Sequence, residues 1–207
     1  MPRGPFLYAI LDASMVAGRS LTEWVDLVAG EDRATVVQWR FKGLDDAAAL
    51  EGARELRAAT RAAGVAFFVN DRPDIARVVG ADGIHVGQED LDAGDVRALL
   101  PHALIGVSTH NPAQFDDALM KPVDYIAVGP VFGTTSKANP DPVVGPEFIT
   151  WGRRRSQRPI VAIGGITLLR APLVVEAGAD GLAVISELMK AEDPEASARA
   201  FVAALRG

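Results

Sequence analysis

Gln38, Arg40 and Lys42 alternate along the stretch QWRFK, so their side chains point the same way if that stretch is extended. Lys137 stands in the polar loop GPVFGTTSKANPDPVVG, residues 129–145. Arg40, Lys42 and Lys137 converging on one place would suit a phosphate or pyrophosphate, Arg through its bidentate fork and Lys as a point charge. The same cations would also serve in a rim of ion pairs with the abundant Asp and Glu. Asp71 and Asp90 could together hold Mg²⁺, which keeps waters and takes further ligands from substrate phosphates. Equally, they could cap the helices that follow them. Gly164-Gly165 and Ile185-Ser186 offer bare backbone N–H groups to an anion, although a Gly-Gly pair also makes a plain tight turn. The cations and the bare backbone together favour two anion subsites. Asn70 could cap a helix or bond a phosphate or a ring nitrogen. His110 could act as acid or base. His85, inside an apolar run, reads as a packed, hydrogen-bonded residue, and His102, after Pro101, as surface. Trp24 and Trp151 read as helix packing, and Arg153-Arg154-Arg155 as a solvated helix face. No Ser/His/Asp order and no metal-ligating His pair stands out.

Positioning these groups falls to short apolar runs separated by helix-like stretches. The runs cover residues 6–12, 35–41, 66–71, 83–87, 104–110, 123–131, 159–165 and 181–186. Their near-continuous apolarity predicts strands covered on both faces. Between them lie Ala-, Leu-, Glu- and Arg-rich segments with helix signals. Ser20 and Glu23 form a capping-box pattern, Gly64 closes the longest segment, and Pro172 fits only a helix that begins near Ala171. Eight strand–helix alternations over 207 residues, with no linker or composition shift, predict an α/β fold: one (β/α)₈ barrel over residues 1–207. An open doubly wound sheet would usually show a glycine-rich turn after its first strand, and LDASMVAG is not one. In a barrel the chemistry belongs at the C-terminal strand ends, which is where Gln38, Asn70, Asp71, Asp90, Ser108, His110 and Gly165 fall.

Composition bounds the partners. The net charge of −6 argues against a broad nucleic-acid face but leaves room for a local basic pocket. The absence of cysteine removes disulfides and thiolate ligands. No apolar run is long enough to span a membrane. The default is a cytoplasmic enzyme or binding protein with small-molecule partners, no nucleic acid and no membrane; oligomeric state, including a homo-oligomer, is left open.

VVQWRFKG, FVNDRPD, GADGIHVGQEDL, IGVSTHN, DYIAVGPVFGTTSKANP, IVAIGGI and GADGLAVIS resemble, in order, the motifs of the thiamine phosphate synthases, over nearly the whole chain. The resemblance implies a (β/α)₈ barrel transferase. It would join 4-amino-5-hydroxymethyl-2-methylpyrimidine diphosphate to hydroxyethylthiazole phosphate and release pyrophosphate with Mg²⁺. It further implies that Gln38, Arg40 and Lys42 hold the pyrimidine diphosphate, helped by Asn70, Ser108 and Lys137. Asp71 and Asp90 would ligate the metal. Thr134 and Ser136 would contact the thiazole phosphate, with its phosphate on Gly165, Ile185 and Ser186. The chain departs from the family pattern at Trp39 and Phe41, where an aliphatic residue and an acid are usual; that acid could have positioned a cation. Thiazole tautomerases share the barrel and many of the motifs, with proton transfer by the residue at His110. They have no need of the diphosphate cations or the acid pair. A non-catalytic barrel that binds thiamine precursors would need only the thiazole phosphate cradle.

Overall fold

The computed structural model describes residues 1–2, 4–16, 18–134 and 141–206. The strands are β1 (Phe6–Asp12), β2 (Val36–Arg40), β3 (Ala66–Asn70), β4 (Gly83–Val86), β5 (Leu104–Thr109), β6 (Tyr125–Val128), β7 (Ile160–Ile163) and β8 (Gly181–Val184). They pair in parallel in chain order, and β8 returns to β1, closing the barrel. Around it run α1 (Leu21–Val28), α2 (Asp46–Ala63), α3 (Pro73–Val79), α4 (Ala93–Leu99), α5 (Pro112–Met120), α6 (Gly145–Arg153), α7 (Ala171–Glu176), α8 (Ser186–Met189) and α9 (Pro194–Arg206). No described helix is long and apolar enough to cross a membrane.

The helix signals act as their chemistry requires. Ser20 and Glu23 form the capping box of α1. Gly64 adopts the left-handed conformation that ends α2. Pro172 lies in the first turn of α7, where its missing N–H costs nothing. The short helix α8, which opens at Ser186, has no counterpart in the sequence reading, where Ile185-Ser186 looked like the close of a strand.

Strand alternation divides the core in two. Leu7, Trp39, Phe67, Ile84, Ile105 and Leu182 face outward and pack under the helices. Phe6, Tyr8, Val36, Phe68, Tyr125 and Val161 fill the barrel. Each buried aromatic or large aliphatic side chain contributes about 1.5–3 kcal/mol of transfer free energy. Inside the barrel, large residues sit against glycines on neighbouring strands. A Cβ on Gly83 would lie 2.2 Å from the Phe68 ring, one on Gly106 1.9 Å from Tyr125, and one on Gly181 2.6 Å from Phe6. Those glycines are what give the rings room.

At the N-terminal end, one device repeats at every second strand. Asp82, Asp124 and Asp180 stand just before β4, β6 and β8. Their carboxylates accept the backbone N–H of Phe67 (2.8 Å), Ile105 (2.8 Å) and Ile160 (2.7 Å) on the preceding strands. The same oxygens pair with Arg57 (2.7 Å), Arg97 (2.6 Å) and Arg153 (2.7 Å) from α2, α4 and α6. Arg153 therefore belongs to a clamp rather than to a solvated helix face; Arg154 and Arg155 are exposed. The fourth equivalent position, before β2, is Thr35. Its hydroxyl is buried and has no hydrogen-bond partner among the described residues.

Candidate active site

At the opposite end the strand termini and their loops enclose a cavity of about 1210 Å³. Its wall includes Gln38, Arg40, Lys42, Asn70, Asp71, Asp90, Ser108, Thr134, Gly165, Ile185 and Ser186. Every described residue expected from the sequence to act in the site thus faces one space. Ser136 and Lys137 lie outside the described residues.

Along β2 the alternation works as expected. Gln38 and Arg40 turn inward, while Trp39 and Phe41 are buried on the outer face with their rings 6.0 Å apart. Trp39 donates to the carbonyl of Ala49 on α2 (3.3 Å), so these two residues serve helix packing and leave the cavity untouched. The acid that positions Arg40 comes instead from β1. Asp12 is 2% exposed and forms an ion pair with the Arg40 guanidinium. Its other oxygen accepts from Ser14 N (2.9 Å) and Ser14 Oγ (2.6 Å). Asp12 went unnoticed in the sequence; its signal was an acid closing the inward-facing row of Phe6, Tyr8 and Ile10.

Asp71 and Asp90 meet across β3 and β4. Their carboxyls are close enough to share a hydrogen bond, and Lys42 Nζ lies 3.3 Å from Asp71 Oδ2. Burial first, then Asp90, push the Asp71 carboxyl up to about 6, against a pull downward from Lys42. Neither acid caps a helix: the N-cap residue of α3 is Arg72, without a side-chain bond, and α4 is capped by Asp92. Asp71 is also the one non-glycine among the described residues at positive φ, 64°. Such backbone persists where its surroundings over-determine it, and here its N–H is held by the carbonyl of His85 (2.8 Å). Among the described residues no three or more His, Cys, Asp or Glu gather as a metal-binding group.

Further round, the loop after β6 is strapped to the end of β7. Val131 and Phe132 donate to Ile163 (2.9 Å) and Gly164 (3.0 Å). Gly165 has φ +63°, and a Cβ there would come within 2.3 Å of the carbonyl of Gly133. Arg170, which also borders the cavity, donates to the carbonyl of Gly165 (2.8 Å) and lies 4.8 Å over the Phe132 ring. It has no carboxylate partner among the described residues. His110 bridges the two sides: Nδ1 is 2.5 Å from the carbonyl of Gly129, and Nε2 is 3.5 Å from Asp141.

Residues 7–188 match the sequence model of a family described as thiamine monophosphate synthase. The chain belongs to the thiamine monophosphate synthase family. The thiamine-phosphate synthase of Chloroflexus aurantiacus is 43% identical over 195 residues, 93% of this chain and 89% of that protein. That of Xanthobacter autotrophicus is 40% identical over 209 residues, covering 99% and 98%. Among solved structures, the thiamine phosphate pyrophosphorylase of Pyrococcus furiosus superposes with a TM-score of 0.86 at 32% identity, covering 97% of this chain and 95% of that one. Within this thiamine monophosphate synthase family member, the cations and acids read from the sequence that fall among the described residues, Arg40, Lys42, Asp71 and Asp90, border one cavity; Tyr8, Tyr125 and Arg170 join them there, and Asp12 stands behind Arg40. Tyr8, Tyr125 and Arg170 carry no motif that a strand or helix pattern could reveal.

Proposed function

We infer that the chain is a thiamine-phosphate synthase, a transferase that joins the aminopyrimidine methyl diphosphate to hydroxyethylthiazole phosphate and releases pyrophosphate. The observation that carries this reading is the placement of Lys42 against Asp71, with Arg40, Asp90 and the Gly165 and Ile185-Ser186 backbone bordering the same cavity. Acid pair and diphosphate cations are what a tautomerase or a precursor-binding barrel has no use for, and the relatives at about 40% identity carry the synthase name.

The donor set fits Mg²⁺. Two carboxylates share a site, one of them held to a raised pKa by burial and then by its neighbour, and neither is spent on a helix cap. A hard divalent cation takes oxygen ligands and, with few protein donors, completes its shell from water and substrate phosphate. When bound there by Asp71 and Asp90 it would supply positive charge to the diphosphate.

In this reading Arg40, Lys42 and Lys137 hold the diphosphate and stabilise negative charge as the carbon–oxygen bond breaks. Asp12 keeps the Arg40 guanidinium aimed. The pyrimidine ring donates electrons to the methylene cation, and the thiazole nitrogen attacks that carbon. Thr134, Ser136 and the backbone at Gly165, Ile185 and Ser186 hold the thiazole phosphate in place for that attack. No protein nucleophile is needed, in keeping with the absence of a Ser/His/Asp order in the sequence. Exclusion of water from the site keeps the cation from being trapped before the thiazole attacks. The reading takes residues 1–207 as one catalytic barrel of a cytoplasmic enzyme. Incubation with both substrates and Mg²⁺ tests it. Thiamine phosphate and pyrophosphate should form in equal amounts, and activity should vanish in excess chelator. No product with both substrates overturns the function; full activity in chelator overturns the metal.

A further inference from the structure

A single line of hydrogen bonds crosses the barrel beneath the cavity. It runs from Asn70 to Gln38 (2.8 Å), Tyr8 (2.8 Å), Tyr125 (3.1 Å), His85 (2.8 Å) and Ser108 (2.8 Å). Its six members come from six strands. Each phenol has one proton to give, so the direction of one bond sets the next. The Gln38 carbonyl oxygen can only accept, so Tyr8 donates to it. Tyr8 then meets Tyr125 with lone pairs, and Tyr125 donates. Tyr125 in turn accepts from His85, which places the imidazole proton on Nδ1. Nε2 is left bare, and Ser108 donates to it. At the other end the Gln38 amide nitrogen donates to the Asn70 oxygen, which leaves the Asn70 amide nitrogen as that residue's remaining polar group. Burial raises both phenols, so their protons stay in place. Both ring nitrogens of His85 are taken by hydroxyls and neither meets a carboxylate among the described residues, so the line accommodates a neutral ring with one proton.

We propose that Tyr8, Tyr125 and His85 are positioning residues that set the hydrogen-bond polarity of the pyrimidine pocket, with an acceptor at Ser108 and a donor at Asn70. The proposal rests on the synthase reading for its substrate. The ligand that fits is a ring with an amino group facing Ser108 and an acceptor facing Asn70. A ring with an oxo group in place of the amino group meets lone pairs and is rejected.

Removing one phenol oxygen inverts the Ser108 end. In Tyr125→Phe the His85 Nδ1–H loses its acceptor. The proton is then better placed on Nε2, where it donates to Ser108, and the serine proton swings into the cavity. In Tyr8→Phe the Tyr125 hydroxyl is released to donate to Nδ1, with the same result. The Tyr125 ring should stay put in the first variant, because it occupies the space left by Gly106. The test has two readouts. Nitrogen NMR of the substrate-free protein, which has three histidines to assign, should find His85 as the Nδ1–H tautomer in the native chain and as Nε2–H in both variants. Kinetics with the amino substrate and its oxo analogue should give a native preference of about 10²-fold or more in kcat/KM. Each variant should lower that preference tenfold or more, with the KM for thiazole phosphate unchanged. An Nε2–H tautomer in the native protein, or an unaltered amino-to-oxo preference in both variants, overturns the proposal. The tautomer readout needs no substrate, so failure of the native chain to turn over the amino substrate would refute the synthase reading separately.

Discussion

Asp12→Asn removes one charge from the pair that aims Arg40 and changes little else in shape. Asp12 is 2% exposed and the Arg40 side chain 20%. The native carboxylate serves two directions at once, accepting from Arg40 through one oxygen and from Ser14 N and Oγ through the other. An amide has one oxygen, so its NH₂ must face either the guanidinium or the Ser14 donors, and at least one charge-assisted bond is lost at about 1.5–3 kcal/mol. Removing a partner from a fully buried pair costs about 3–5 kcal/mol. Arg40 reaches solvent over a fifth of its surface, so the expected loss is about 2–3 kcal/mol. At roughly 2–4 °C per kcal/mol for a chain of this size, the melting temperature should fall by about 5–10 °C. The protein should still fold, since domains of this kind have about 5–15 kcal/mol in hand. Freed from its anchor, Arg40 should hold the diphosphate poorly. We expect kcat/KM for the pyrimidine diphosphate to drop about 10–10²-fold at a temperature well below the melt, with thiazole phosphate affinity unchanged. Thermal melts and steady-state kinetics with each substrate varied decide the matter. A variant that melts lower as forecast but turns over like the native protein would show the pair to be structural, and the aiming role would be wrong.

Mg²⁺ should raise the melting temperature of the substrate-free protein more at pH 8 than at pH 5.5. Asp71 has a folded-state pKa of about 6 against an ordinary 3.8, so its ionisation costs stability as pH rises through that window, and the cation must compete with the proton below it; equal shifts at both pH values would refute the pair as the metal site. Asp71→Asn should lose turnover far more than thiazole phosphate affinity, and normal turnover in that variant would remove the metal role. Lys137→Ala should lower turnover by about 10²-fold, the scale of one lost electrostatic stabiliser, while calorimetry finds thiazole phosphate binding little changed; weakened thiazole phosphate binding with intact turnover would move the lysine to the other subsite. Gly165→Ala should cost about 1–3 kcal/mol through its left-handed backbone and the clash with the carbonyl of Gly133, and should weaken thiazole phosphate binding in parallel; a variant with native melting and binding would contradict the close approach of β7 to the β6 loop.

The barrel was legible because strands buried on both faces are apolar throughout, and runs such as FLYAILD and IVAI need no partner to be recognised. The caps at Ser20 and Gly64 were legible for a similar reason: they satisfy their own helix. The cavity residues were found because polar groups at the ends of apolar runs stand out. Tyr8 and Tyr125 did not, since a tyrosine in a strand looks like any packed aromatic. Their hydroxyls meet only when residues 117 apart in sequence are brought together by closure. Asp12 was hidden likewise: only the pairing of Asp12 with Arg40 in the β1–β2 register gives its charge a purpose. The role of Trp39 and Phe41 became clear once α2 was in place to cover them.

The barrel's lower rim is not evenly fastened. Charged clamps lock the seams β3–β4, β5–β6 and β7–β8, while at the β1–β2 seam Thr35 offers a buried hydroxyl with no partner among the described residues. That seam is fastened at its other end. Thr35 ties β2 to β1 only through its backbone, its N–H held by the Leu7 carbonyl (3.2 Å), whereas beside the cavity the Asp12–Arg40 ion pair and the bond from Tyr8 to Gln38 join the same two strands. The stitching of β1 to β2 therefore doubles as part of the candidate site, so a substitution that disturbs one disturbs the other.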